Sequence, residues 1–177
     1  MIPGYVPAPS EKDLYKLGQG IRAVGDTVNN CIYVVAQSAV PVFHTGDTHE
    51  STLATITVPG KSKGPNGRVR VTTLWTHTSS ANNKTLKVKF GSATYTNVVN
   101  TTSASAWLAT IVANRNATNS QVGPASGMTG HGTSTGIVVT SNEDTTADVT
   151  IAITGQLAAG TETITLEAYA VELMSRI

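Results

Sequence analysis

Charge is scarce in this sequence. Asp, Glu, Lys and Arg make up 13% of the 177 residues, and the net charge is +1, against about 25% charged residues in an ordinary globular domain. A chain this neutral has no overall field to attract nucleic acid, so no nucleic-acid partner is expected. Cysteine is nearly missing too. The single Cys31 excludes a disulfide framework within the chain, and small secreted domains usually carry one, so synthesis inside a cell is expected. Aromatic residues are only 5%, too few for a row of exposed rings that would bind sugar. No run approaches the roughly 18 apolar residues that cross a membrane, so no membrane partner is expected. The opening "MIPGYVPAPSEKDLYKL" has neither the basic region nor the apolar core of a signal peptide.

With so little charge, the polar surface must come from neutral side chains. Threonine supplies much of it, at 28 residues. It is β-branched and suits a pleated, half-exposed surface. Lys and Glu, which favour helices, thin out after residue 30. The composition therefore predicts a mainly β protein with a short helical preface. Two regions are expected: residues 1–38 as arm and helix, and 39–177 as the β-domain.

Residues 1–9, "MIPGYVPAP", hold three prolines and a glycine. Such a segment forms neither a helix nor a central strand. It reads as an extended arm, of the kind that becomes ordered on a partner. Pro3, Tyr5, Val6 and Pro7 are its candidate attachment residues. Ser10 and Asp13 then resemble a helix start. Leu14, Leu17, Ile21, Val24 and Val28 follow at the alternating spacing of a helical seam. β-branched residues at the a and d positions of such a seam favour trimers over dimers. Gly18, Gly20 and Gly25 interrupt the pattern, and each costs about 1 kcal/mol of helix stability against alanine. They flank the seam, where a missing side chain lets another surface approach. The segment is thus either a short trimeric stem or an amphipathic helix that docks on a larger assembly. The helix is expected to end near Asn29–Asn30, because "CIYVVA" reads equally well as helix or strand.

Beyond Ala39 the pattern is that of strands separated by turns. "RVRVTTLWTHTSS" alternates Val69, Val71, Thr73 and Trp75 with polar residues. "NKTLKVKFG" does the same with Leu86, Val88 and Phe90. "SASAWLATIVANRN" is apolar on both faces, which predicts a strand covered on both sides. "SQVGPASGMTGHGTS" reads as a glycine-rich loop. Eight or nine strands are expected, at the spacing of a sandwich or barrel.

Motifs for chemistry fail on context. "GTSTG" at 132–136 matches a hydrolase nucleophile elbow, but it lies between a glycine-rich loop and a strand-like run. All four histidines precede Ser134, whereas the elbow needs a later one. "VPGKS" at 58–62 lacks the leading glycine of a phosphate-binding loop and is followed by "KGPNG", which cannot begin a helix. "HTGDTHE" at 44–50 gathers two His, an Asp and a Glu. An extended strand would send His44 to one side and Asp47 and His49 to the other, so an inter-strand loop is favoured over a metal site. No catalytic residue, metal or cofactor is expected. The chain reads as non-enzymatic, with its function in assembly or surface binding.

The stretches "GPNGRVRVTTLW", "NKTLKVKFG", "NRNATNSQVG" and "ITGQLA…ETITLEAYAVEL" give roughly residues 48–174 a particular likeness. This region resembles the jelly-roll domain of tailed-bacteriophage virion proteins. The resemblance implies an antiparallel jelly-roll sandwich with tumour-necrosis-factor-like packing, commonly a homotrimer. It implies a capsid decoration (cement) or head-fibre protein on the virion surface, made in the host cytoplasm. The N-terminal arm would then bind the major capsid protein or another virion protein. The same domain type also occurs in tail-associated modules, where loops such as 120–134 would bind a host-surface glycan.

Overall fold

The computed structural model describes residues 32–127 and 136–174. The arm, the seam residues Leu14, Leu17, Ile21, Val24 and Val28, and Gly18, Gly20 and Gly25 lie outside the described residues. So do Cys31 and most of "GTSTG". The described residues belong to one compact unit beginning at Ile32. Among them are eleven strands and no α-helix.

The strands are β1 (Ile32–Ser38), β2 (Val42–Thr45), β3 (Ser51–Val58), β4 (Arg68–His77), β5 (Lys84–Phe90) and β6 (Ala93–Asn100). They continue with β7 (Ser105–Asn114), β8 (Gln121–Gly123), β9 (Val139–Ser141), β10 (Val149–Leu157) and β11 (Thr163–Met174). They form two antiparallel sheets. The wider runs β1-β11-β4-β7-β8-β9, with β2 pairing β11 beside β1; the narrower runs β3-β10-β5-β6. Two departures from the sequence reading stand out. Residues 32–38, assigned to the N-terminal segment, form β1, which pairs with β11 from Ile32↔Met174 to Ser38↔Tyr169. The β-branched content of "IYVVA" prevails there because β11 offers a free edge. Gln121–Gly123, read as loop, is the short strand β8.

The alternation in β4 and β5 is realised directly. Val69, Val71, Thr73 and Trp75 are buried, as are Leu86, Val88 and Phe90. These residues and Ile151, Ile153, Ile164, Leu166 and Val171 make up the core between the sheets. Trp75 is completely buried, and its indole N–H donates to Thr73 Oγ1 at 2.8 Å. Phe90 meets Tyr95 edge-to-face at a centroid distance of 6.4 Å, a favourable aromatic geometry.

Two lysines are buried, which charge patterning alone does not foretell. Lys84 Nζ donates to Ser80 Oγ at 2.7 Å and to Asn82 O at 2.8 Å, and it lies 3.6 Å from Glu162 Oε2. Ser80 Oγ and Asn82 Nδ2 also donate to the Glu162 carboxylate. This ion pair therefore has the extra hydrogen bonds that a buried charge requires. Lys63 has none of them. Its Nζ sits 4.8 Å from the centre of the Phe90 ring and makes no hydrogen bond. Burial pushes its pKa down from 10.5 to about 7.

Lys63 therefore holds its proton less tightly in the folded chain than in the unfolded one. Between about pH 7 and 10.5 the unfolded chain binds more protons, so stability rises with pH across that window. At and below pH 7 the cost of a buried ammonium remains. Lys63→Met is expected to stabilise the fold at pH 7 by roughly 2–4 kcal/mol. It should also flatten the rise between pH 7 and 10, both read from urea unfolding midpoints. An unchanged midpoint at pH 7 contradicts this assignment.

Candidate functional site

Because side chains alternate along a strand, the inward burial of Val69, Val71, Thr73 and Trp75 turns Arg68, Arg70, Thr72 and Leu74 outward. Strand register then lays out the outer face of the wider sheet. Leu74 pairs with Trp107 and Ala168, Thr72 with Ala109 and Ala170, and Arg70 with Ile111 and Glu172. Arg68 pairs with Ala113 and Met174. The small alanines keep the face low between the larger side chains. Trp107 is 67% exposed, and Leu74 and Ile111 are also exposed. Among the described residues, the cover expected on both sides of β7 is thus supplied on one side only: the narrower sheet covers the inner face, and the outer face is open. Of the two tryptophans, Trp75 is core and Trp107 is surface.

The face carries little charge. Arg70 Nε donates to Glu172 Oε2 at 2.5 Å. This hydrogen bond holds the Glu172 carboxyl below its ordinary range. The one charged pair in the middle of the face is therefore already compensated.

Beside β7 the face deepens into an apolar groove of about 450 Å³, lined by Ala109, Ile111, Ala113, Val122, Pro124 and Val138. A polar network behind it sets its shape. Gln121 is fully buried, and its Nε2 donates to Glu143 O at 2.9 Å and Asn114 Oδ1 at 3.2 Å, while its Oε1 accepts from Ser141 Oγ at 2.9 Å. Asn114 Nδ2 donates to Gly64 O at 2.6 Å and Thr145 Oγ1 at 3.0 Å. These bonds tie β8 and β9 to β7 where the ladder is only two or three residues long. Gly123 allows the close fit, since a Cβ there would lie 2.5 Å from Ile111 O and from the Tyr95 ring.

At the opposite edge of the same sheet, β1 and β2 expose a second apolar set. Phe43 is 66% and Val40 72% exposed; Val42 is exposed on the other face of β2, and Ile32 and Val34 are exposed farther along the edge on β1. Phe43 shares the outward row of Thr165 and Thr76. Sequence reading marked the two-faced strand β7 but missed the groove beside it and the β1–β2 edge, because strands far apart in the chain build them. The available signal was the two-faced apolar content of "SAWLATIVA" and the charge-free run from Ile32 to Phe43.

The sequence motifs also have definite places. The turn at Gly46, with φ +95°, bends "HTGDTHE" back on itself. His44 Nε2 and His49 Nδ1 then lie 3.5 and 3.4 Å from Asp47 Oδ1. His44 Nδ1 is 3.0 Å from Ser51 Oγ. The backbone N–H of His49 is the main cause of the lowered Asp47 pKa. Glu50 turns away to Lys87 and Lys89. Burial pushes its pKa up, but hydrogen bonds from the two lysines and Thr154 outweigh that and hold it at about 2. Among the described residues no three His, Cys, Asp or Glu side chains form a metal-binding group. At "VPGKS", Gly60 N–H donates to Asp148 Oδ1 at 2.8 Å and Lys61 N–H to Thr145 O at 2.9 Å. These are turn contacts within the chain, with no helix behind them.

No protein-family model and no curated protein sequence matches the chain. Solved structures match only distantly, at low identity and low TM-score. A lectin from Bauhinia forficata in complex with GalNAc matches at 8% identity and a TM-score of 0.37, over 83% of this chain and 99% of that one. The CBM2 module of the evolved Dit of Lactobacillus casei BL23 phage J-1 matches at 10% identity and 0.32, over 67% of each chain. A chain in the structure of infectious bursal disease virus Gt strain matches at 12% identity and 0.30, over 82% of this chain and 33% of that one. The functional reading below rests on the residues of this chain and not on these likenesses.

The two tryptophans should respond differently to truncation. Trp75→Ala is expected to cost about 3–5 kcal/mol of folding free energy. Trp107→Ala should change the stability of the isolated chain by no more than about 0.5 kcal/mol. Chemical denaturation at high dilution measures both; a large loss at Trp107 would mean that its face is covered within the single chain.

Proposed function

We propose that this chain is a non-enzymatic virion structural protein of a tailed bacteriophage, a homotrimeric capsid decoration or head-fibre protein. Its β-domain faces outward, and its N-terminal segment binds the assembled shell. The observation that carries the reading is the open outer face of the wider sheet. A soluble single domain rarely leaves a large contiguous apolar patch uncovered, and copies of the same chain are the commonest cover.

Three further points support it. The strand order β1-β11-β4-β7 against β3-β10-β5-β6 suits a tumour-necrosis-factor-like jelly roll, with β2, β8 and β9 as additions at the edges. The segments "GPNGRVRVTTLW" and "NKTLKVKFG", which resemble phage virion domains, fall on β4 and β5 at the centre of the fold. The surface is rich in Thr and poor in charge, as suits a protein that covers another surface without a strong field. In mechanism, Pro3, Tyr5, Val6 and Pro7 would lie along gaps in the shell. The seam from Leu14 to Val28 would keep threefold register, and Gly18, Gly20 and Gly25 would allow close approach. Three arms per trimer raise the effective affinity well beyond that of one arm. A ligand that binds only the assembled shell stabilises it by mass action.

The test mixes the purified protein with empty mature-like capsids and, separately, with host cells. Saturable binding to capsids without binding to cells is expected. Binding to cells alone overturns the decoration reading and favours a receptor-binding tail module. A chain lacking residues 1–30 should keep the β-domain's circular dichroism and lose capsid binding. If it still decorates capsids, the role given to the arm is wrong.

A further inference from the structure

The wider sheet has two unlike apolar ends. At one edge, Phe43 and Val40 project from β2 and the turn before it, and Ile32 and Val34 are exposed farther along the same edge on β1. At the other edge lies the groove formed by Ile111 and Ala113 on β7, Val122 on β8, Pro124, and Val138 before β9. β11 and β4 separate β2 from β7 in the sheet order. Three strand spacings of about 4.8 Å across, and the rise along β7 from Ser105, which is level with Phe43, to Ile111, put Phe43 and the groove about 25 Å apart. A single chain cannot bring its own projection into its own groove.

From this arrangement we propose that the groove of one copy receives the β1–β2 edge of the next, with Phe43 as the inserted side chain. The inference deepens the trimeric reading and rests on it. The occupant is a second copy because the same chain carries both halves of the contact. Neither half carries a charge: residues 32–43 contain no Asp, Glu, Lys or Arg, and neither does the groove lining. Contact therefore desolvates no unpaired ion, in keeping with the charge-poor centres of stable interfaces. The projecting edge also needs cover for its backbone. Among the described residues, β1 and β2 form the edge of the sheet, blunted by the irregularity between Val34 and Ala36 and by Pro41. Lodging it against a neighbour protects it from unwanted strand pairing.

The symmetry follows. A patch at one end that fits a different patch at the other makes a heterologous contact, in which every copy gives its edge and offers its groove. Such contacts end only when a ring closes. The outer face with Leu74, Trp107 and the compensated Arg70–Glu172 pair lies between the two patches, and a ring that turns this face toward its axis covers it as well.

The experiment measures mass in solution by sedimentation for wild type, Phe43→Asp, Ile111→Arg and Val138→Arg, using the full chain. All three side chains are exposed, and circular dichroism confirms folding. Wild type is expected as a trimer at micromolar concentration. Each variant should self-associate at least tenfold more weakly. An equimolar mixture of Phe43→Asp and Ile111→Arg should give heterodimers, because one intact edge meets one intact groove. If wild type is trimeric but Phe43→Asp assembles normally, or the mixture stays monomeric, the edge-to-groove contact is wrong while the trimer stands. If wild type is monomeric throughout, both readings fall. An assembly with only twofold symmetry also overturns the proposal.

Discussion

A β-strand has two faces, and the described residues of this chain cover only one face of the wider sheet. The four strands of the narrower sheet bury the inward side chains of β4, β7 and β11, and the resulting core holds Trp75, Ile164, Leu166 and Val171 with no measurable exposure beyond 1%. The outward side chains of the same strands receive no cover from the other described residues. Trp107, Leu74 and Ile111 therefore stay exposed beside a line of alanines. The proposed assembly follows from this one-sided cover.

The fold accommodates its interior polar groups in distinct ways. At one end of the sandwich, Glu162 neutralises Lys84, and Ser80 and Asn82 complete the hydrogen bonds. At the other, Gln121 and Asn114 satisfy each other and tie down loops from four parts of the chain. That second network makes the groove a fixed feature, because β8 and β9 are too short to hold their places by ladder bonds alone. Lys63 is less well served: its charge has only the Phe90 ring for company, and both ring nitrogens of buried His77 also lack hydrogen-bond partners. The cost at Lys63 is the kind that a marginally stable fold tolerates when the rest of the loop, Gly60 to Gly67, is held by turn contacts.

Much of the architecture was legible in the sequence, and the reasons are local. Period-two alternation in "RVRVTTLW" and "KTLKVKF" fixed both strands and their inward residues, since Arg and Lys on one side and Val, Leu and Phe on the other leave a single register. β1 was ambiguous, because "CIYVVA" satisfies helical and extended patterns alike and only the free edge of β11 decides. β8 was hidden because Gly123 and Pro124 read as loop punctuation, whereas here the glycine marks a close approach to Tyr95. The burial of Lys63 and Lys84 was illegible, because a lysine in sequence carries no sign of the carboxylate or ring that the fold brings to it. The groove and the projecting edge were illegible for a related reason. Each draws on strands paired across long stretches of chain, and their complementarity exists only once the sheet order is known.

The central claim is that the outer face of the wider sheet is covered by other copies of the chain. Trp107 reports on that face alone once Trp75 is replaced by phenylalanine. Acrylamide quenching of the remaining fluorescence, followed across protein concentration, is the most direct measurement. The account predicts efficient quenching at high dilution and strong protection once the protein assembles. Equal quenching in the dilute and the assembled protein would show that the face stays open to water, and the account would be wrong.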